Sequence, residues 1–304
     1  MPGRNPVFPA PRDIRRQTYY PGVSLSLAEM VALGHIAGAK IVHFTGRRED
    51  VDGEAEAWSA LLPTTRAPYR PDISGGPIGW TPEPLTAQST SSDDGGAGSG
   101  AQVLLVEYLN ADGFERIGLA LLAGTGTVPV LEATSQGVGN ANTIVPLMPP
   151  TPATGVRVNR VTVVAGGVPA GNCTVDLGGQ AAQRLLPGQA LSSTSRFTVP
   201  RGFIGLIHGL GYGVDREQRG LVRVYAQPLG RLDYEFTAYE ASNGALAVPL
   251  AEPIRLAPLG ELGLTFEKDS GGGNIDVSSI LQPIFLPDPN DPDPAPERQA
   301  PPLG

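Results

Sequence analysis

The side chains here most able to do chemistry are three histidines, one cysteine and a scatter of acidic residues, and their spacing gathers none of them into a familiar reactive set. His35 falls on a predicted helix, His43 on a short predicted strand after it, and His208 in a strand far downstream. Zinc takes clustered histidine, cysteine or carboxylate ligands, which this pattern does not supply. A serine hydrolase needs a strained nucleophile turn or its equivalent, and no Gly-x-Ser-x-Gly occurs. Gly124-Thr125-Gly126-Thr127 and Gly137-Val138-Gly139-Asn140 are glycine-rich, but neither opens a helix as a phosphate cradle must, so both read as β-turns. Asp93-Asp94 and the run Asp288 to Asp293 lack the ordered spacing of a calcium loop and read as solvated charge. No acid pair marks a glycosidase. The expectation is a non-enzyme that needs no cofactor and no metal.

The elements that would position these residues are strands. Gln102 to Leu122, QVLLVEYLNADGFERIGLALL, is two apolar-rich runs around Asn110-Ala111-Asp112-Gly113, residues that tolerate the positive φ of a tight reversal. It is a predicted β-hairpin. Strand candidates then follow at short, regular spacing: 128–131, 142–147, 155–165, 173–177, 189–199, 203–212, 220–227, 232–239, 253–256, 261–267 and 275–286. Such spacing, with no long helical period, is the pattern of a sandwich or barrel rather than of βαβ units. Cys173 sits in an apolar alternation and is expected to be a small buried strand residue.

Upstream, Ser26-Leu27-Ala28-Glu29 is a capping-box pattern that predicts a short helix of about ten residues, weakened at Gly34 and ended at Gly38. Residues 40–44 follow as a short strand, and Trp58, Leu61 and Leu62 could pack a small unit, with Tyr69 and Trp80 as anchors in a Pro/Gly-rich stretch. Residues 89–100, STSSDDGGAGSG within it, read as a flexible linker. The organisation expected is therefore a basic Pro-rich arm at 1–23, a small segment at 24–88, a linker at 89–100, a β-sandwich or jelly-roll-like domain at 101–286 and an acidic Pro-rich arm at 287–304. The first arm carries Arg4, Arg12, Arg15 and Arg16 against Asp13, with prolines at 2, 6, 9, 11 and 21. Prolines at that density resist both helix and sheet interior, so an extended arm lying on a neighbour is expected.

Composition agrees with a fold of short strands and turns: Gly 40, Pro 31 and only 17% charged residues among 304. A net charge of −8 argues against coating nucleic acid, which takes a basic surface. No apolar run is long enough to span a membrane, the N-terminal residues lack the apolar core of a secretory signal, and a lone cysteine forms no internal disulfide.

Four stretches together resemble a family of β-rich virion structural proteins of tailed, mainly short-tailed, bacteriophages. They are the junction Ser91-Ser92-Asp93-Asp94 to Gly98-Ser99-Gly100-Ala101, the hairpin VEYLNADGFE, the strand Arg157-Val158-Asn159-Arg160 with its valine-rich continuation, and the turn Phe197-Thr198-Val199-Pro200-x-Gly202. They occur in the family's order across residues 89–286, while the Pro-rich arms have no counterpart. The resemblance implies a mainly β, non-catalytic particle component present in many copies. Its expected partners are a major capsid protein and copies of itself in a symmetric homo-oligomer such as a trimer, with neither nucleic acid nor membrane. Capsid decoration suits the arms; a head or tail fibre, or an adsorption protein binding a host surface glycan, is the alternative. The expected location is the virion, on the capsid surface, after synthesis in the host cytoplasm. Expected contact residues are Arg12, Arg15, Arg16, Tyr19 and Tyr20 in the first arm, Arg157 and Arg160 on a strand that could meet another subunit's carboxylates, and Ile284, Phe285 and Leu286 leading into the second arm.

Overall fold

The computed structural model describes residues 26–51, 55–56, 70–71, 77–78, 81–138, 141–194, 196–226, 235–268 and 275–290. These residues form one helix and a set of antiparallel sheets, so the chain is mainly β. The helix, Leu27–Ala32, starts on the capping box read from sequence: Glu29 N–H donates to Ser26 Oγ at 3.3 Å and Ser26 N–H donates back to Glu29 Oε2 at 2.7 Å. It ends six residues before Gly38. Gly34 takes φ +71° and its N–H bonds Val31 O, so the left-handed residue that closes the helix comes a turn earlier than expected.

Two β-sandwiches share the remainder. In the first, a five-stranded sheet runs in the order Ala141–Pro146, Leu131–Val138, Glu115–Leu121, Ala101–Leu109, Arg157–Gly166. It faces a second five-stranded sheet built from Thr154–Gly155, Glu83–Ser89, Cys173–Leu177 and Gln180–Leu185, with Val128–Pro129 also paired to Glu83–Ser89. Alternation places Leu104, Val106 and Tyr108 inward from one layer, against Leu85, Ala87, Cys173, Val175 and Leu177 from the other. The hairpin in the first of these sheets pairs Val103 with Leu121 through Leu109 with Glu115. Asn110 shapes its turn, accepting from the Asp112 and Phe114 N–H groups on Oδ1 while Gly113 takes φ +80°.

The second sandwich is organised on a ribbon of two long strands, Phe203–Ala226 and Glu235–Leu256. Leu256 pairs with Gly205 at one end of the ribbon's first strand, while Leu262 pairs with Ala226 at the other. A link of a few residues spans at most about 20 Å, whereas a straight strand from 205 to 226 would run about 70 Å. The ribbon therefore folds back on itself. The bend lies where the register jumps from Val214–Gly244 to Arg219–Ser242, leaving extra residues on one strand. The 203–214 half carries Ile284–Pro287, Ile275–Leu281, Lys40–Ile41 and Phe44–Val51 as further strands of one layer; the 219–226 half carries Glu261–Lys268, Arg196–Thr198 and Ala55–Glu56 in the other. Between the layers lie Phe44, Phe197, Ile207, Val224, Leu264 and Phe285, with Phe44 and Phe197 stacked at 4.8 Å between ring centroids.

Several expectations change here. The strands predicted at 203–212 and 220–227 are one bent strand, as are those at 232–239 and 253–256, because bulges interrupt the pattern without ending the pairing. Glu83–Ser89 and Gln180–Leu185 are strands that the sequence reading left out. Residues 40–51 belong to the layer formed by the C-terminal strands, pairing with 275–281 and 284–285 rather than with a unit of their own. The stretch read as a linker is a built loop, and Asp94 within it, expected to be solvated, is fully buried. Trp58, Leu61, Leu62, Tyr69 and Trp80 lie outside the described residues.

Candidate functional site

Three of the four stretches behind the resemblance meet where the two sandwiches join. The hairpin turn at 110–114 seats against the second sandwich: Arg201 N–H donates to Gly113 O at 2.8 Å, and the Arg201 guanidinium lies 4.9 Å from the Phe114 ring centroid. Leu259 packs so close to Gly113 that a Cβ there would stand 2.4 Å from Leu259 Cδ2. Glycine serves the turn twice, for its φ and for this approach.

Beside the turn runs Arg157–Gly166, whose pairing with Ala101–Leu109 skips a residue between Val158 and Arg160. That bulge takes Asn159 out of the ladder and aims it at the second sandwich. There Asn159 Nδ2 donates to Thr198 O at 2.9 Å, and Thr198 N–H donates to Asn159 Oδ1 at 3.1 Å. One side chain thus imitates a strand neighbour for the Thr-Val-Pro stretch. Gln183 Nε2 backs it by donating to Val158 O at 3.0 Å.

Glu261 lies beneath this contact with 0% of its surface exposed. Its Oε1 accepts from Arg157 Nε at 2.9 Å and Thr198 Oγ1 at 3.1 Å; its Oε2 accepts from an Arg196 amine at 2.7 Å. Burial alone would raise its pKa, but the two guanidiniums and their hydrogen bonds outweigh that and push it down to about 2. Arg157 comes from the first sandwich and Arg196 and Glu261 from the second, so the buried charge network spans the seam. Lys40 adds a more exposed link, pairing with Glu115 while its ammonium lies 5.2 Å from the Phe203 ring centroid.

The fourth stretch forms a separate knot. Asp94 accepts from Ser89 Oγ at 2.6 Å, Ala101 N–H at 2.8 Å, Ala170 N–H at 2.9 Å and Gly171 N–H at 3.0 Å. Burial works to raise its pKa, and these four donors reverse the sign and hold it below the ordinary value. A Cβ on Gly100 would sit 2.1 Å from Asp94 Oδ1, which is why the loop is built of glycine there. Cys173 lies alongside, its Sγ 3.7 Å from Asp94 Oδ2, and burial pushes the thiol up to about 11. Neither Asp94 nor Glu261 reaches solvent, and both are saturated with donors, so neither can act on a substrate. Among the described residues no group of three or more His, Cys, Asp and Glu could hold a metal ion, and no helix is long and apolar enough to cross a membrane.

The residues expected to touch partners are placed as follows. Arg12, Arg15, Arg16, Tyr19 and Tyr20 lie outside the described residues. Arg157 is engaged at the seam, and Arg160 makes a two-pronged bond, 2.5 Å on each arm, to Glu107 on the adjacent strand. Their guanidiniums thus meet carboxylates of their own chain. Ile284 and Phe285 pair with Ile41 and Lys40 and are 3% and 1% exposed, which makes them core residues rather than a free contact surface; Leu286 is half-buried opposite Ile204. The sequence reading missed Glu261 and named Asn159 only as a member of the Arg157-Val158-Asn159-Arg160 strand. A polar residue in a valine-rich strand and a glutamate opening the run ELGLTF were the available signals.

No protein-family model matches the chain, and no curated protein does either. Among solved structures it is weakly similar to the structure of infectious bursal disease virus Gt strain, at 11% identity over 84% of this chain and 74% of that one, with a TM-score of 0.20. It is also weakly similar to the infectious bursal disease virus VP2 subviral particle, at 10% identity over 82% and 72%, with a TM-score of 0.16. Similarity at that level is too loose to carry an argument about function.

Proposed function

We propose that the protein is a non-enzymatic structural component of a tailed-phage virion, and specifically a decoration (cement) protein that binds the outer capsid through its terminal arms and stabilises the head. The observation that supports this reading is the seam. Hairpin turn, Val-Asn-Arg strand and Thr-Val-Pro turn, whose order carries the family resemblance, are parts of one buried contact. Isolated turn motifs recur in unrelated β-proteins, but three that interlock form a single physical object that fixes how the two sandwiches sit.

That object suits a protein that must keep its shape under mechanical stress. A seam sealed by a buried carboxylate between two arginines resists relative motion of the sandwiches. Extended arms could then add apolar contact with neighbouring subunits at about 25 cal/mol per Å² buried. Repetition over many symmetric copies multiplies a modest contribution per subunit.

The test is the copy number in purified particles, measured by quantitative mass spectrometry against the major capsid protein. Hundreds of copies are expected for decoration. A count of about six to a few tens, matching the symmetry of a tail or fibre assembly, would replace this reading with the fibre or adsorption role and direct attention to host glycans. Absence from particles would overturn the virion reading itself.

A further inference from the structure

The bent ribbon leaves one flank of the second sandwich bounded by the strand Glu235–Leu256. On one side this strand is paired along its length with Phe203–Ala226; on the other, no strand among the described residues pairs with it. Its first part, 235–242, runs without a register break opposite 226–219. Eight residues of regular edge, about 27 Å, present alternate backbone N–H and C=O groups outward. Natural edges are usually blunted by lysine, proline or a bulge. The prolines of this strand, Pro249 and Pro253, fall later, and 235–242 contains no lysine.

We propose that this edge is a docking site for residues 12–20 of a second copy of the chain, which add to the sheet as an extra strand. Three observations choose that occupant. RDIRRQTYY is a nine-residue window without proline between Pro11 and Pro21, matched in length to the unbroken edge and containing the strand formers Ile14, Thr18, Tyr19 and Tyr20. It carries Arg12, Arg15 and Arg16 against Asp13, whereas 235–242 carries Glu235 and Glu240 and no basic residue, so the charges are complementary. The third is where the helix after the segment leads. From Ser26 the helix leads to Lys40–Ile41, which pairs Ile284 and Phe285 in the other layer of the sandwich, with Ile284–Pro287 next to the ribbon's first strand. To reach its own edge the segment would have to cross the gap of about 10 Å between layers and pass around the intervening strands. A neighbour's edge carries no such detour. Backbone pairing then supplies affinity, while the arginines set direction and register.

This inference holds for any assembly of the chain, in or out of a virion, and its test uses the full-length protein. Light scattering after size exclusion would give the mass of the wild-type chain and of the triple variant R12E/R15E/R16E. Amide hydrogen exchange over 235–242 would be followed in both. The wild-type chain is expected to self-associate with 235–242 protected. The triple variant is expected to dissociate at least about tenfold more readily, with protection over 235–242 lost and the remaining strands unchanged. A monomeric wild type would overturn the proposal, whether or not the edge is protected; protection in a monomer would identify the chain's own arm as the occupant. Self-association that survives charge reversal would also overturn it, as would dissociation that leaves exchange at 235–242 unaltered. Deletion of residues 1–20 serves as the second variant and is expected to reproduce the triple variant on both readouts.

Discussion

The first sandwich closes within one continuous stretch, from Glu83 to Leu185, while the second draws strands from 40–56 as well as from 196–287. Each contains a fully buried carboxylate, and the two are satisfied differently. Asp94 meets no cation among the described residues; three backbone N–H groups and one hydroxyl surround it, all from its own sandwich. Glu261 is held by two guanidiniums, one of them supplied by the other sandwich. A locally closed unit can fix a loop with backbone dipoles. Joining two units takes groups that reach, and arginine's long planar fork reaches furthest. The contrast teaches that Asp94 is a device for folding one sandwich and Glu261 a device for orienting two.

The sharpest way to break that contrast is at Glu261. Glu261→Gln leaves Arg157 and Arg196 buried without their counter-charge and is expected to cost about 4 kcal/mol. It should also split thermal unfolding into two transitions in calorimetry, since the seam loses its central contact; a single transition of unchanged midpoint would refute the orienting role. Asp94→Asn comes next, at about 3 kcal/mol, because an amide cannot accept from all four donors. Here the loss should be confined to the first sandwich and be visible as early labelling of Cys173, a thiol that is buried and unreactive in the folded chain. If labelling appeared only with global unfolding, the two sandwiches would fold as one.

Acid separates the pair less strongly. Both carboxyls have folded pKa values below their ordinary ones, so each contributes stability that is fully present above the ordinary carboxyl range and lost as pH falls through the folded value. Circular dichroism is expected to show no loss from these networks between about pH 7 and 5, with the seam failing only as pH falls through about 4 toward 2. A transition centred near pH 6 would contradict the assignment. Asn159→Ala is a smaller change, about 2 kcal/mol for two buried hydrogen bonds, and should lower stability while leaving Cys173 protected until the seam opens. The smallest effect is expected at Tyr108, whose buried hydroxyl has no hydrogen-bond partner among the described residues. Tyr108→Phe should leave the unfolding free energy from denaturant titration unchanged or raise it by up to about 1 kcal/mol, and a clear loss would reveal a bond to that hydroxyl.

Much of the local structure could be read directly. The capping box, the hairpin with its Asn-to-Gly turn, the buried Cys173 strand and the mainly antiparallel β character follow from short-range chemistry, and each appears as expected. Element limits were less legible wherever a bulge interrupted alternation, as at 214–219, because the sequence pattern breaks while pairing continues. The seam was the least legible part. Arg157 and Glu261 are 104 residues apart, and a charged side chain in a strand looks the same whether it faces water or a buried partner.

The sequence by itself determined that the chain is a β-protein of short strands and tight turns, since period, turn residues and caps act over a few neighbouring positions. Only the tertiary structure decided that the strands divide into two sandwiches, that strands near the N-terminus complete the C-terminal layer, and that an apparent polar linker hides a buried aspartate. Those outcomes depend on which distant groups desolvate one another. A carboxylate is solvated charge or the centre of a buried network according to what folds over it, and that is a property of the packed chain.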